Sequence, residues 1–319
     1  MKVIKSLLLY GCAMVFSSMS ISCHRHDIKD DDGDFDEITI VNDWERASEA
    51  SPEGMAYLFF PIGSDAPWRF DFPGRNAGEV ELPEGDYRFV MFNDDTSRVD
   101  FTIGSDGDVY ASTSICELNA LNDSTVYNSE RVSREPDMLW CYGIDYIGLH
   151  DSFVEYEGKR NNGHQLITHP RQVTPHYVLE VRHVENLHGV VWMAAAITGQ
   201  SGLIDLNTYR RNNTLVTVPF TPVVAPDSSL TAEFVTLGVP DNREVASNLY
   251  FFFLLSDGKM IKAVKDVSTQ IEDAPDAMNI ELEVDTIELP WAPPAEIGGG
   301  GFLPTVNGWV DVVIDYGSN

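Results

Sequence analysis

The chain has 319 residues, of which 50 are Asp or Glu and only 21 are Lys or Arg, giving a formal net charge of −29 at pH 7. Nucleic acid is excluded as a natural partner, because phosphate binding needs a concentration of basic side chains that is missing here. So acidic a surface is also repelled by anionic lipid, which leaves covalent attachment as the route to a membrane.

Residues 1–22 have the layout of an export signal: Lys2 and Lys5, an apolar run from Leu7 to Phe16, then small residues up to Ser22. The run is half the ~20 residues that a helix needs to cross a bilayer, so a cleaved segment is expected rather than a membrane span. Ile21, Ser22 and Cys23 resemble the lipobox of bacterial lipoproteins, whose cysteine is acylated and becomes the new N-terminus. The resemblance implies lipidation of Cys23, with palmitate-type chains, and a mature protein of 297 residues once 22 are removed. The alternative is ordinary secretion with Cys23 unmodified. Each buried CH₂ contributes ~0.8 kcal/mol, so acyl chains suffice to hold the protein at the outer membrane.

Residues 23–37 follow as an acidic tether. Six of the eight residues from Asp30 to Glu37 are carboxylates, which repel one another and bury no apolar surface. Lys29 with Asp30–Asp32 resembles the signal that sends some lipoproteins to the outer face of the outer membrane, so surface exposure is expected. An EF-hand is not, because Gly33 lies between Asp32 and Asp34 instead of directly after the third ligand.

From residue 38 onward, short runs rich in β-branched and aromatic residues alternate with Gly, Pro, Asn, Asp and Ser, which predicts an all-β chain. The expected strands in the first half are Ile38–Trp44, Met55–Pro61, Trp68–Phe72, Glu79–Leu82, Tyr87–Asn93, Val99–Ile103, Val109–Ser114, Leu139–Tyr142 and Ser152–Tyr156. Both faces of Tyr87–Asn93 are apolar, which places that strand in the middle of a sandwich. Asn119–Asp137 is polar and reads as a short helix or a long excursion.

The polar stretch Glu157–His164 is expected to separate an N-terminal domain, 38–163, from a C-terminal domain, 164–319. Strands are then predicted at Thr174–Val184, Val190–Ile197, Leu215–Val223, Ser229–Leu237, Asn248–Leu255, Met260–Lys265, Met278–Ile287 and Trp309–Asp315. Ser256-Asp257-Gly258 reads as the turn of a tight hairpin.

With Cys12 in the signal and Cys23 at the lipid position, Cys116 and Cys141 remain. They are a candidate disulfide in an exported domain, or two reduced thiols packed between strands. His164, His169, His176, His183 and His188 are clustered in sequence. On one strand, however, His176 and His183 are separated by an odd number and face opposite ways, so no metal site is expected. No HExxH, GxSxG or Walker loop is present, and neither an enzyme nor a cofactor is expected.

Several phrases in order carry a family resemblance: Val41-Asn-Asp-Trp44, Ser51-Pro-Glu-Gly-Met-Ala56, Leu254-Leu-Ser-Asp-Gly258, Asp266-Val-Ser-Thr-Gln-Ile271, and Val306-Asn-Gly-Trp309. Together they resemble the fimbrillin-like lipoproteins, relatives of the subunits and anchors of type V pili. The resemblance implies two tandem transthyretin-like β-sandwich domains, and Leu82-Pro-Glu-Gly-Asp-Tyr87 is similar to their turn-plus-tyrosine motif. Polymerising members are cut after an arginine near the first strand, and Arg46 is the matching candidate. Anchor and accessory members keep that strand. The expected role is thus a non-catalytic fimbrial anchor, accessory subunit or adhesin, with other fimbrial subunits or a host or glycan ligand as partners. A glycan-binding lipoprotein of a nutrient-uptake system, using Trp68, Trp291 or Trp309, is the alternative.

Overall fold

The computed structural model describes residues 35–64, 66–105, 107–115, 130–242, 244–295 and 312–315, all within one compact unit, Asp34–Asn319. The chain is all-β, as expected, and the described residues include one five-residue α-helix. The first half holds β1 (Phe35–Asn42), β2 (Gly54–Pro61), β3 (Trp68–Pro73), β4 (Glu79–Pro83), β5 (Gly85–Asn93), β6 (Asp100–Ile103) and β7 (Val109–Ser112). After them come β8 (Arg131–Val132), β9 (Trp140–His150), β10 (Phe153–Tyr156), β11 (Lys159–Asn162), β12 (Gln165–Thr168) and β13 (Arg171–Gln172).

The second half begins with β14 (His176–Glu185), β15 (Val190–Ser201), β16 (Leu203–Asp205) and β17 (Leu215–Phe220). It continues through β18 (Val223–Val224), β19 (Leu230–Val235), β20 (Asn248–Leu255), β21 (Met260–Asp266), α1 (Ser268–Glu272), β22 (Asn279–Glu288) and β23 (Val312–Asp315).

A large sheet ordered β11-β10-β9-β5-β2-β3 forms the middle of the first half. Its two faces are both apolar because β2 and β5 alternate between two buried sets. Tyr57, Phe59, Phe89 and Met91 meet Ile38, Val80 and Leu166 of the sheet β12-β1-β4. On the other face, Leu58, Phe60, Val90 and Phe92 meet Val109, Ala111 and Ile204 of the sheet β16-β7-β6. The interior position expected for Tyr87–Asn93 follows directly from this three-layer arrangement.

The second half packs the sheet β18-β19-β14-β22 against β23-β21-β20-β15-β17-β8. In β20, Phe251, Phe253 and Leu255 fill this core while Tyr250, Phe252 and Leu254 cover the opposite face with Met260 and Val132. The hairpin from β20 to β21 closes through Asp257 and Gly258, whose φ of +85° is one that glycine adopts without steric cost.

The halves are interleaved. β16 pairs with β7, and β8 pairs with β17, so each half lends a strand to a sheet of the other. The segment Glu157–His164, expected as a boundary, forms the hairpin from β10 to β11 and the turn beyond it, and β12 then pairs in parallel with β1. The polar composition is that of an exposed edge hairpin, with Gly158 and Gly163 at positive φ in its turns. Most of Asn119–Asp137, and Gly298–Gly301, lie outside the described residues.

Leu206 of the second half is fully buried in the shared core beside Val109 and Cys141. Leu206→Ala is expected to cost ~2–5 kcal/mol. Because that core joins the halves, urea unfolding followed by tryptophan fluorescence and by circular dichroism should give one coincident, earlier transition. Two separated transitions would show that the halves melt independently.

Candidate interaction site around the first strand

β1 is held on both edges, antiparallel to β4 and parallel to β12. Thr39 N–H donates to His164 O at 2.9 Å, Ile40 N–H to Gly78 O at 2.9 Å and Asp43 N–H to Thr168 O at 2.8 Å. Ile38 and Ile40 point into the core and are buried, while Phe35 on the outer side stands edge-on to Trp68 with ring centroids 6.2 Å apart.

Polar side chains fasten the end of the strand. Asn42 Nδ2 donates to the Tyr57 hydroxyl at 2.6 Å and to Arg75 O at 2.8 Å, while Asn42 Oδ1 accepts from Thr168 Oγ1 at 2.8 Å. The Trp44 indole N–H donates to Arg75 O at 3.0 Å, and the Arg75 guanidinium lies over the Trp44 ring. Burial pushes the Tyr57 phenol up to about 12. It does the same to Tyr87, whose hydroxyl donates to Pro83 O at 2.6 Å and closes the turn that the Leu82–Tyr87 motif predicts.

A group of carboxylates gathers at the start of the strand. Asp36, Glu84 and Asp151 each bring a carboxylate oxygen within 4.8 Å of the others, and the buried Asp36 Oδ2 has no hydrogen-bond partner. Like charges at such a distance repel one another.

Cys23 and residues 24–34 of the tether lie outside the described residues. Phe35, Asp36 and Glu37, expected in the tether, belong to β1 opposite Pro83, Leu82 and Glu81, because Phe35 gains the Trp68 ring and the backbone gains the β4 ladder. Arg46 sits exposed in a single 3₁₀ turn, Glu45–Ala47, directly after the strand.

Among the described residues Cys141 is a free, fully buried thiol, pushed up to about 12 by burial, with its sulfur 3.8 Å from Leu206 O. Its candidate disulfide partner Cys116 lies outside the described residues. The histidines engage separate neighbours: His164 contacts His150 O, His169 is 3.2 Å from an Asp43 carboxylate oxygen, and His176 is 3.6 Å from one of Glu233. Trp68 is packed against the core, Trp291 is 66% exposed, and Trp309 lies outside the described residues. The clamp made by Asn42 was not evident as chemistry in the sequence, although it occupies the phrase Val41-Asn-Asp-Trp44.

Removing the Asn42 side chain takes the donor from the Tyr57 hydroxyl and the acceptor from the Thr168 hydroxyl in a half-buried setting, while the Arg75 carbonyl keeps the Trp44 indole N–H, so Asn42→Ala should cost ~1–3 kcal/mol. Hydrogen exchange should then speed up at Ile38–Asn42 first; uniform acceleration across the sheet would contradict a local clamp. Alkali supplies a second test. The unfolded Tyr57 and Tyr87 phenols titrate near 10.0 and the folded ones near 12, so their stabilisation is complete below pH 10 and is lost as pH rises to 12. Tyr57→Phe should flatten that decline in a melting-temperature series.

Comparisons with known proteins agree with this architecture. A relative from Bacteroides ovatus, provisionally named fimbrium anchoring subunit Fim4B, is 24% identical over 334 residues, covering 94% of this chain and 95% of its own length. A crystal structure of a protein provisionally called an adhesin, also from Bacteroides ovatus, shares the fold. It has a TM-score of 0.62 and 21% identity, and the match covers 89% of this chain and 100% of that one. The fimbrial anchor protein Mfa2 of Porphyromonas gingivalis is more distant, with a TM-score of 0.49 and 11% identity over 78% of this chain and 90% of that one. The fimbrillin-like resemblance read from the sequence fits these relatives. The family model described as a domain of unknown function, DUF5119, matches residues 22–221, more than half of the sequence, and the chain belongs to that family.

Proposed function

We propose that the protein is a cell-surface fimbrial anchor or accessory subunit that acts without catalysis. Acyl chains on Cys23 hold it in the outer membrane, residues 24–34 space it from the lipid, and the β-rich body engages a neighbouring subunit. The observation that carries this reading is the first strand. β1 fills its slot with Ile38 and Ile40, bonds to strands on both sides, and is clamped at its end by Asn42 and Trp44. A subunit that must accept a partner's strand at this place has to lose its own first, whereas an anchor has reason to retain it. The relative provisionally named as an anchoring subunit, aligned over nearly its whole length, supports the same role.

In this reading the two halves are tandem transthyretin-like sandwiches with their seam near Val173 and Thr174, where β13 ends and the second core begins. Arg46 stays uncut and serves as an ordinary solvated arginine. A cut there would remove β1 and open an apolar groove over Tyr57, Leu82 and Leu166.

Mass spectrometry of the protein isolated from cells tests both elements. The expected terminus is an acylated Cys23 with β1 present, and Cys23→Ala should move the protein from the membrane fraction to the soluble one. A terminus at Ala47 would overturn the anchor reading in favour of a polymerising subunit. An unmodified Cys23 on membrane-free protein would remove the lipid tether.

A further inference from the structure

A cleft of about 590 Å³ opens where the middle of β9, the turn from β10 to β11 and the loop after β16 come together. It shares no residue with β1 or the Arg46 turn. Its chemistry-bearing lining is Asp145, Tyr146, Glu157, Asn207, Tyr209 and Arg210.

Three observations mark it as a built site. Tyr146 leaves 45% of its surface exposed, yet its hydroxyl is fixed, donating to Asp86 Oδ1 at 2.9 Å. It lies over Gly148, where any Cβ would come within 2.8 Å of the phenol oxygen. A large ring held this way loses little conformational freedom when a ligand covers it. Second, Glu157 and Tyr209 are non-glycine residues in the left-handed region, at φ +50° and +63°. Such conformations cost ~1–3 kcal/mol each and persist only where neighbours enforce them. The neighbours are present: the Tyr142 hydroxyl donates to Glu157 Oε1, Gly143 N–H donates to the Tyr209 hydroxyl at 2.9 Å, and the Arg171 guanidinium stacks 3.4 Å from the Tyr209 ring centroid. Third, the side chains of Asp145 and Arg210 are exposed at the rim and take part in no ion pair among the described residues.

We propose that this cleft binds a neutral saccharide. A pyranose offers vicinal hydroxyls, which both donate and accept, and an apolar C–H face. The hydroxyls match the Asp145 carboxylate, the Asn207 carboxamide and the Arg210 guanidinium, while the C–H face matches the Tyr146 ring. Sulfated or sialylated sugars are disfavoured by Asp145, Glu157 and the chain's net charge of −29. A basic peptide is drawn by those same carboxylates, but it lacks the flat C–H face and vicinal hydroxyls that fit Tyr146, Asn207 and Arg210. The proposal does not rest on the anchor reading, since the cleft takes no residue from β1, the Arg46 turn or Cys23.

The full-length chain, purified in mild detergent, is applied to printed arrays of neutral, sialylated and sulfated oligosaccharides and of basic peptides. Calorimetric titration follows with the neutral oligosaccharide giving the strongest signal. Neutral saccharides should bind, and Tyr146→Ala and Asp145→Asn should each weaken binding about tenfold or more, ~1.4 kcal/mol. Both residues are exposed, so melting temperatures should stay close to that of the parent chain. The proposal is overturned by absence of neutral binding, by binding confined to acidic sugars or peptides, or by folded variants that bind as tightly as the parent.

Discussion

The strands β2 and β5 carry apolar side chains on both faces, and a sheet of that kind is stable only between two covering layers. One cover consists of β1, β4 and β12, and the other of β6, β7 and β16. Most of the remaining architecture follows from this need. The first strand is drawn in because Ile38 and Ile40 complete one cover, and the second half is drawn in because Ile204 and Leu206 complete the other. Interleaving of the halves is therefore a result of how the central sheet is buried.

The same constraint explains what the sequence discloses. Period-two alternation over Tyr87–Asn93 and the aromatic run Tyr250–Phe253 carry their own burial pattern, so their strands and interior positions can be read from composition alone. The hairpin at Ser256–Gly258 and the turn closed by Tyr87 are local, and local chemistry specifies them. The short strands β8, β11, β12, β13 and β16 could not be read in this way. Lys159–Asn162 is wholly polar, and Gln165–Thr168 is a strand because it lies parallel to β1, more than a hundred residues earlier. Parallel pairing at such a distance leaves no periodic trace. The functional chemistry was legible only in part: Asn42 stood within a recognised phrase, whereas the cleft depends on Glu157 and Tyr209 having left-handed backbones, a property of tertiary enforcement.

Exposed edges are the remaining liability of an all-β surface protein, because unpaired backbone groups recruit stray strands. The ten-residue β22 is an edge strand, paired on one side with β14. The outer backbone groups of one of its residues are capped. The Gln270 amide donates from Nε2 to Glu283 O at 2.9 Å and accepts from Glu283 N–H at 2.8 Å, imitating one rung of a neighbouring strand. Glu281, Glu283 and Asp285 line the solvent side, with Arg182 paired to Glu283 and Asp285 across the sheet. Such exposed pairs contribute little stability, ~0–1 kcal/mol each, so their main effect here is to keep another apolar strand from settling.

The capped rung on β22 and the filled slot of the first strand act alike. A protein that assembles through strand exchange has to keep one slot available and block the others, or it aggregates. In this chain β22 is blocked by Gln270 and carboxylates, and the slot beneath β1 is filled by the chain itself. Pairing with β4 from Phe35 onward and the Phe35–Trp68 contact hold the start of that strand, and Asn42 and Trp44 secure its end next to the Arg46 turn. That arrangement suits a subunit that is to remain whole, so partner contacts are expected from its outer faces and its cleft, with the first strand left in place.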